Sequence, residues 1–238
     1  STAKATEADA AKVWEGCADN IGFVELIGDK AATDAAFAKA PHVVKQRLVI
    51  NRVTAAAMEP RGAVGVYLPA EDRYIVHTPA QRAHPYRNEI AKVMKVAESK
   101  VRVICIDVGG SFGMKTPVFN EAPLTMFAAK LTGRAVKWMS TRTEAFLSDA
   151  QARDNVTEAE LALDKDGHFL AMRVKTVAAI GAYLQNNMPA FILNAGTLAG
   201  VYRIPAMHVD ITGVFTNTNP VRPYRGNGRP EAAYVIER

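Results

Sequence analysis

The chain has 238 residues, enough for a substantial core, and its 49% hydrophobic and 22% charged residues are ordinary for a globular protein. No apolar run approaches the roughly 20 residues of a membrane-spanning helix. The net charge of +5 comes from 29 Lys and Arg against 24 Asp and Glu, scattered rather than clustered, so nothing points to nucleic acid. Cys17 and Cys105 are too few for a disulfide framework or a cysteine zinc site. The start lacks a basic stretch followed by an apolar one, which makes a cytoplasmic setting the default and leaves a periplasmic one open.

In chain order, the alanine-rich start leading to Val13 and Trp14 reads as helical and passes into an irregular stretch around Asp29-Lys30-Ala31. Residues 1–40 are therefore expected to form a helical or irregular extension, and 41–238 a domain. The β-branched run from His42 to Val53 predicts a strand, and two more follow near Ala63–Leu68 and Tyr74–Thr78. Ile90, Ala91, Val93, Met94 and Ala97 recur at helical spacing and precede a strand over 101–108, which gives a β-α-β pattern. A helix from Glu121 to Leu131 closes at Gly133, and a strand covers Ala135–Ser140.

A long antiparallel hairpin comes next: Val156–Leu163, the turn Asp164-Lys165-Asp166-Gly167, then Phe169–Ala179. Gly181 to Gly200, with Asn186, Asn187 and Asn194, has weak periodicity and reads as irregular with some helix. Strand Val209–Thr216 enters a loop rich in Asn, Pro, Gly and Arg that lasts to Pro230, where a helix begins. A chain stopping inside that helix, at Arg238, is expected to be a fragment. The fold class is α+β, with mixed sheets.

The most informative segment is Asp107-Val-Gly-Gly-Ser-Phe-Gly-Met-Lys-Thr116, between a strand end and a helix start. Its glycines permit positive φ and close approach of a ligand, and N–H groups exposed in such a turn make an anion site. The spacing fits neither a P-loop nor the dinucleotide fingerprint. Gly109 to Gly113 does satisfy G-x-S-x-G, the nucleophile elbow of an α/β-type serine hydrolase, with Ser111 as nucleophile and His168 or His208 as nominal partners. No acid-then-histidine pair stands at strand ends to complete it. His42, His77, His84, His168 and His208 show no pairing on one face, which argues against zinc or non-haem iron. A non-catalytic assembly or binding module is the remaining alternative.

Three separated segments together resemble the molybdopterin-binding large subunit of the xanthine dehydrogenase, aldehyde oxidase and aerobic carbon monoxide dehydrogenase family. They are Gly109-Gly110-Ser111-Phe112-Gly113, Pro223-Tyr224-Arg225-Gly226-Asn227-Gly228, and Gln81 in Thr78-Pro79-Ala80-Gln81. Met58-Glu59-Pro60-Arg61-Gly62-Ala63, Gly181-Ala182-Tyr183 and Tyr202-Arg203-Ile204-Pro205 support them. The resemblance implies a first molybdopterin-binding domain. It also implies a molybdenum-molybdopterin cofactor, of which the cytosine dinucleotide is one form, bound by Gln81, Gly110, Phe112, Gly113 and Arg225. Of these, Gln81, Phe112 and Arg225 stand beside molybdenum without ligating it. Asn227 is expected to line the substrate pocket. FAD and 2Fe–2S clusters fall on partner subunits or domains.

Departures from the pattern narrow the chemistry. Copper-containing carbon monoxide dehydrogenases place a cysteine after the loop arginine, and here that position is Gly226. Xanthine-oxidising members place a glutamate where Thr116 stands and an arginine near Leu193 or Asn194. The resemblance thus implies hydroxylation of another aldehyde or heterocycle. The family's general base is a glutamate far toward the C-terminus, so no catalytic residue is expected before Arg238. Alone, this chain would be inactive, needing the remainder of the large subunit and its iron-sulfur and flavin partners.

Overall fold

A computed structural model describes residues 2–184, 190 and 192–238. The strands are β1 (Ile21–Gly28), β2 (His42–Ile50), β3 (Val53–Thr54), β4 (Gly62–Leu68), β5 (Arg73–His77), β6 (Val101–Ile104), β7 (Val136–Met139), β8 (Gln151–Ala152), β9 (Asn155–Leu163), β10 (Phe169–Gly181) and β11 (Ala206–Phe215). The helices are α1 (Lys30–Lys39), α2 (Ala83–Met94), α3 (Glu121–Thr132), α4 (Arg142–Ser148) and α5 (Arg229–Glu237). This is an α+β fold of mixed sheets, and packing divides it into two compact units. One combines Ser1–Val53 with Ala150–Arg238; the other, Thr54–Asp149, is inserted into it as one continuous segment. The sequence reading instead set its single boundary at residue 40.

In the inserted unit the strand order is β6-β5-β4-β7, and only β5 and β6 run parallel. Parallel neighbours need a crossover, which α2 supplies, as the β-α-β pattern predicted. Val76, Ile90 and Met126, from β5, α2 and α3, are wholly buried and tie sheet and helices into one core. Helix α3 ends at Gly133 in the left-handed conformation, φ 64°.

The strand expected over 101–108 stops at Ile104. Thr78 N–H donates to the Ile104 carbonyl (3.1 Å), and the next residue on that neighbouring segment is Pro79, which has no N–H to continue the ladder. Residues 105–108 leave the sheet, with Ile106 exposed, and deliver the chain to the glycine-rich turn. Cys105, placed in the strand by sequence, lies just past it and donates its thiol hydrogen to the Ala80 carbonyl.

The other unit is built on the sheet β1-β11-β10-β9-β2, in which only the β10–β11 pair is parallel. The predicted hairpin is β9–β10. Its turn is closed by the Asp164 carboxylate, which accepts the N–H groups of Asp166 (2.8 Å) and His168 (2.9 Å). Ile180, Ile211 and Val235 anchor the core.

The first 40 residues differ most from expectation. The alanine-rich start forms only a short 3-10 turn, Thr2–Lys4, because the buried Asn20 side chain captures its backbone: Nδ2 donates to Ala5 O and Ala11 O, and Oδ1 accepts Val13 N–H. Ile21–Gly28 is an edge strand paired with β11. The stretch read as irregular is helix α1, capped by Asp29 through Ala32 N–H at 2.9 Å. Within 181–200, Ala195–Thr197 is a 3-10 turn, and Asn186 and Asn187 lie outside the described residues.

Candidate functional site

The glycine-rich loop of the inserted unit is fastened to the segment after β5 by the side chain of Gln81. Its Oε1 accepts the Ser111 hydroxyl (2.5 Å) and the Gly113 N–H (2.9 Å), while the Gln81 backbone N–H donates to the Lys115 carbonyl (3.1 Å). Because a backbone N–H can only donate, the Gly113 bond fixes which end of the amide faces the loop. The Nε2 group, two donors, is left on the other branch and makes no bond among the described residues.

Gly110, Phe112 and Gly113 all have positive φ (99°, 54° and 104°), and Met114 N–H to Ser111 O (3.0 Å) and Thr116 N–H to Gly113 O (3.2 Å) close two successive turns. A non-glycine residue in the left-handed region is uncommon, and Phe112 holds it while 43% exposed. The structure thus brings Gln81, Gly110, Phe112 and Gly113 into one loop assembly.

Two anchors had no role in the sequence reading. Glu59 lies against the loop: its N–H donates to Gly109 O (3.0 Å), and its carboxylate accepts Gly109 N–H (2.9 Å) and the Lys115 ammonium (2.8 Å). A Cβ at Gly109 would fall 2.4 Å from the Glu59 Cβ, so this glycine serves packing. Burial pushes the Glu59 carboxyl up, but Lys115 and the Gly109 N–H together bring it below the usual range. Lys115 is only 2% exposed. Arg61, from the same motif as Glu59, is buried with its guanidinium against the rings of Phe119 (4.0 Å) and Trp138 (5.4 Å) and bonds Asp149, Glu121 and Ser148, which makes it a core strut.

Ser111 is not arranged as a nucleophile. Its hydroxyl donates to an amide oxygen and accepts the Lys115 N–H (3.0 Å), neither of which is a base, and the next helix begins only at Glu121. His168 sits with Asp164 and Asp166, their ligand atoms within 4.8 Å, but those bonds close the hairpin turn.

Arg225 and Asn227 belong to the other unit, on the loop before α5. Four consecutive residues there have positive φ: Arg225 (20°), Gly226 (96°), Asn227 (54°) and Gly228 (79°). Asn227 N–H closes a turn on Tyr224 O (3.0 Å), and its Oδ1 is buried without a partner among the described residues. The Arg225 carbonyl accepts an N–H of Arg153 (3.3 Å), whose guanidinium lies over the Tyr224 ring at 4.8 Å. A Cβ at Gly226 would lie 2.5 Å from the Pro230 ring, so this backbone has no room for a cysteine.

The donor set tests which group the inserted unit can hold. The Gln81 amide offers its Nε2 donors, and the loop beside it presents neither thiolate nor imidazole, which fits a cofactor that presents acceptor oxygens and brings its own metal ligands.

Comparison with known proteins agrees. The family described as "Molybdopterin cofactor-binding domain" matches residues 14–238. The gamma subunit of the 6-hydroxypseudooxynicotine dehydrogenase complex of Paenarthrobacter nicotinovorans is 38% identical, over 86% of this chain and 26% of its own length. The carbon monoxide dehydrogenase large chain of Hydrogenophaga pseudoflava is 36% identical, over 89% and 27%. The crystal structure of a Cu,Mo carbon monoxide dehydrogenase superposes with a TM-score of 0.93 at 31% identity, covering 100% of this chain and 32% of that one. The chain thus spans about a quarter of the length of these curated relatives. Among the described residues no helix is long and apolar enough to cross a membrane. The chain belongs to the molybdopterin cofactor-binding domain family of the carbon monoxide dehydrogenase, xanthine dehydrogenase and aldehyde oxidoreductase large subunits.

Proposed function

We propose that this chain is the part of a molybdenum hydroxylase large subunit that faces the metal, and that the assembled enzyme hydroxylates an aldehyde or a heterocycle. When bound, the molybdenum cofactor supplies the oxygen-transfer and two-electron chemistry. Gln81 would offer its Nε2 donors to the cofactor, and the loop of Gly110, Phe112 and Gly113 would seat it. Arg225 contributes through its loop, and Asn227 lines the substrate pocket. The proton would be taken by a base outside this chain, and 2Fe–2S and FAD partners would carry the electrons away.

The observation that carries this reading is the Gln81 amide, held through its oxygen by Ser111 and Gly113 so that its donors remain available. Gly226 supports a substrate other than carbon monoxide, since no side chain fits where a copper-holding thiolate would stand. The relative named for 6-hydroxypseudooxynicotine favours the heterocycle. The test is elemental analysis and turnover of the large subunit purified with its partners, assayed with aldehydes, N-heterocycles and carbon monoxide. Stoichiometric molybdenum with turnover of one of the first two classes is expected. An intact, active complex without molybdenum would sink the proposal.

A further inference from the structure

Beside the Arg225 loop lies a charged pair that the proposed function does not use. Arg153 Nε stands 3.4 Å from the Glu231 carboxylate, with side chains only 14% and 2% exposed. Glu231 is the third residue of α5, whose N-cap is Gly228, so its carboxylate is fixed to the helix that starts where the loop ends. Burial raises the Glu231 carboxyl above its usual range, against the pull of its own N–H, the Arg153 charge and the Gly228 N–H. Arg153 Nη1 and Glu231 Oε2 have no partner among the described residues, so the pair is held under tension between desolvation and attraction.

Arg153 is itself unusual. It and Asp154 are consecutive non-glycine residues with positive φ, 68° and 75°. Local bonds hold that kink: Asp154 N–H donates to Ile50 O (3.1 Å), and the Asp154 carboxylate accepts Arg52 Nε (2.9 Å) and the Thr2 hydroxyl (2.7 Å). Such strain persists only where the surroundings enforce it, and it collects at functional sites. The kink points the guanidinium at the loop, where it binds the Arg225 carbonyl and covers Tyr224.

We propose that Arg153, anchored by Glu231, is a positioning residue that holds the left-handed run 225–228 in the shape the cofactor site requires. This rests on the reading above, which assigns Arg225 to cofactor binding. Lysine cannot replace it, since an ammonium lacks the planar fork that reaches carboxylate, carbonyl and ring together.

The experiment compares wild type, R153K, R153M and E231Q in the assembled enzyme by three measurements: molybdenum content, amide exchange of the 224–229 peptide by mass spectrometry, and the Mo(V) electron paramagnetic resonance signal with kcat and KM. Loss of the bond and stack is expected to speed exchange of that peptide by roughly ten- to a hundredfold. The Mo(V) signal is expected to change shape, and kcat to fall with KM little altered. E231Q, which keeps shape and hydrogen bonding, is expected to reproduce a smaller version of each effect and remains informative if R153M does not fold. Wild-type exchange and an unaltered Mo(V) signal in R153K and E231Q overturn the proposal. A wild-type assembly without molybdenum overturns it through the reading beneath it, and the exchange data tell the two failures apart.

Discussion

Removing Glu59 and removing Lys115 break the same ion pair, yet the structure predicts unequal costs. Lys115 is 2% exposed, while the Glu59 side chain keeps 35% of its surface open. Glu59→Ala strands a cation in the interior, a loss of about 3–5 kcal/mol for a buried pair broken from one side. The exposure of the carboxylate places this case near 3 kcal/mol. The lost acceptor for Gly109 N–H adds about 1 kcal/mol. Lys115→Met fills a similar volume with no charge and leaves Glu59 free to hydrate, for about 1 kcal/mol.

Urea unfolding at pH 7 is therefore expected to separate the two variants by about 2–3 kcal/mol, with the double variant close to Lys115→Met. The pH dependence has a definite sign. The Glu59 carboxyl is held below its usual value when folded, so its contribution is complete above about pH 4.3 and is lost as the pH falls through the folded value. The gap between wild type and Lys115→Met should close over that acid range. Equal costs for the two single variants, or a gap that does not change with acid, would refute the reasoning.

Gln81→Leu removes the acceptor of the Ser111 hydroxyl and the Gly113 N–H and is expected to lower stability by about 1–2 kcal/mol, read as a shifted thermal midpoint. In the assembled enzyme it should also cut turnover by about tenfold or more, because the Nε2 donors go with it. Gly226→Cys is expected to destabilise by about 1–3 kcal/mol, since φ is 96° and the new Cβ would lie 2.5 Å from Pro230. Elemental analysis of that variant should find no copper.

What the sequence revealed about the fold was whatever local chemistry decides. The β5-α2-β6 unit, the Gly133 stop of α3 and the Asp164 turn of the long hairpin each follow from periodicity or from a cap or turn residue within a few positions. Strand β1 does not: Gly22 and Glu25 interrupt its pattern, and its ladder partners run from His208 to Val214, far along the chain. Tertiary pairing overrides weak propensity there. The alanine-rich start shows the reverse, a helical composition undone by one buried asparagine whose three bonds take the backbone elsewhere.

The site divides along the same line. Gln81 and the glycine-rich turn could be picked out by resemblance, but that one amide oxygen serves both Ser111 and Gly113 is a fact of three dimensions. Nothing local in the sequence marks Lys115 as buried; its partner there is Glu59, 56 positions away. Arg153 gave no signal at all, since neither its left-handed backbone nor its partner Glu231 is written locally. Glycines allow a loop many shapes, and one shape is chosen only by side chains that bind it from outside. For the turn at 109–113 those are Gln81 and Glu59, the latter shared with buried Lys115.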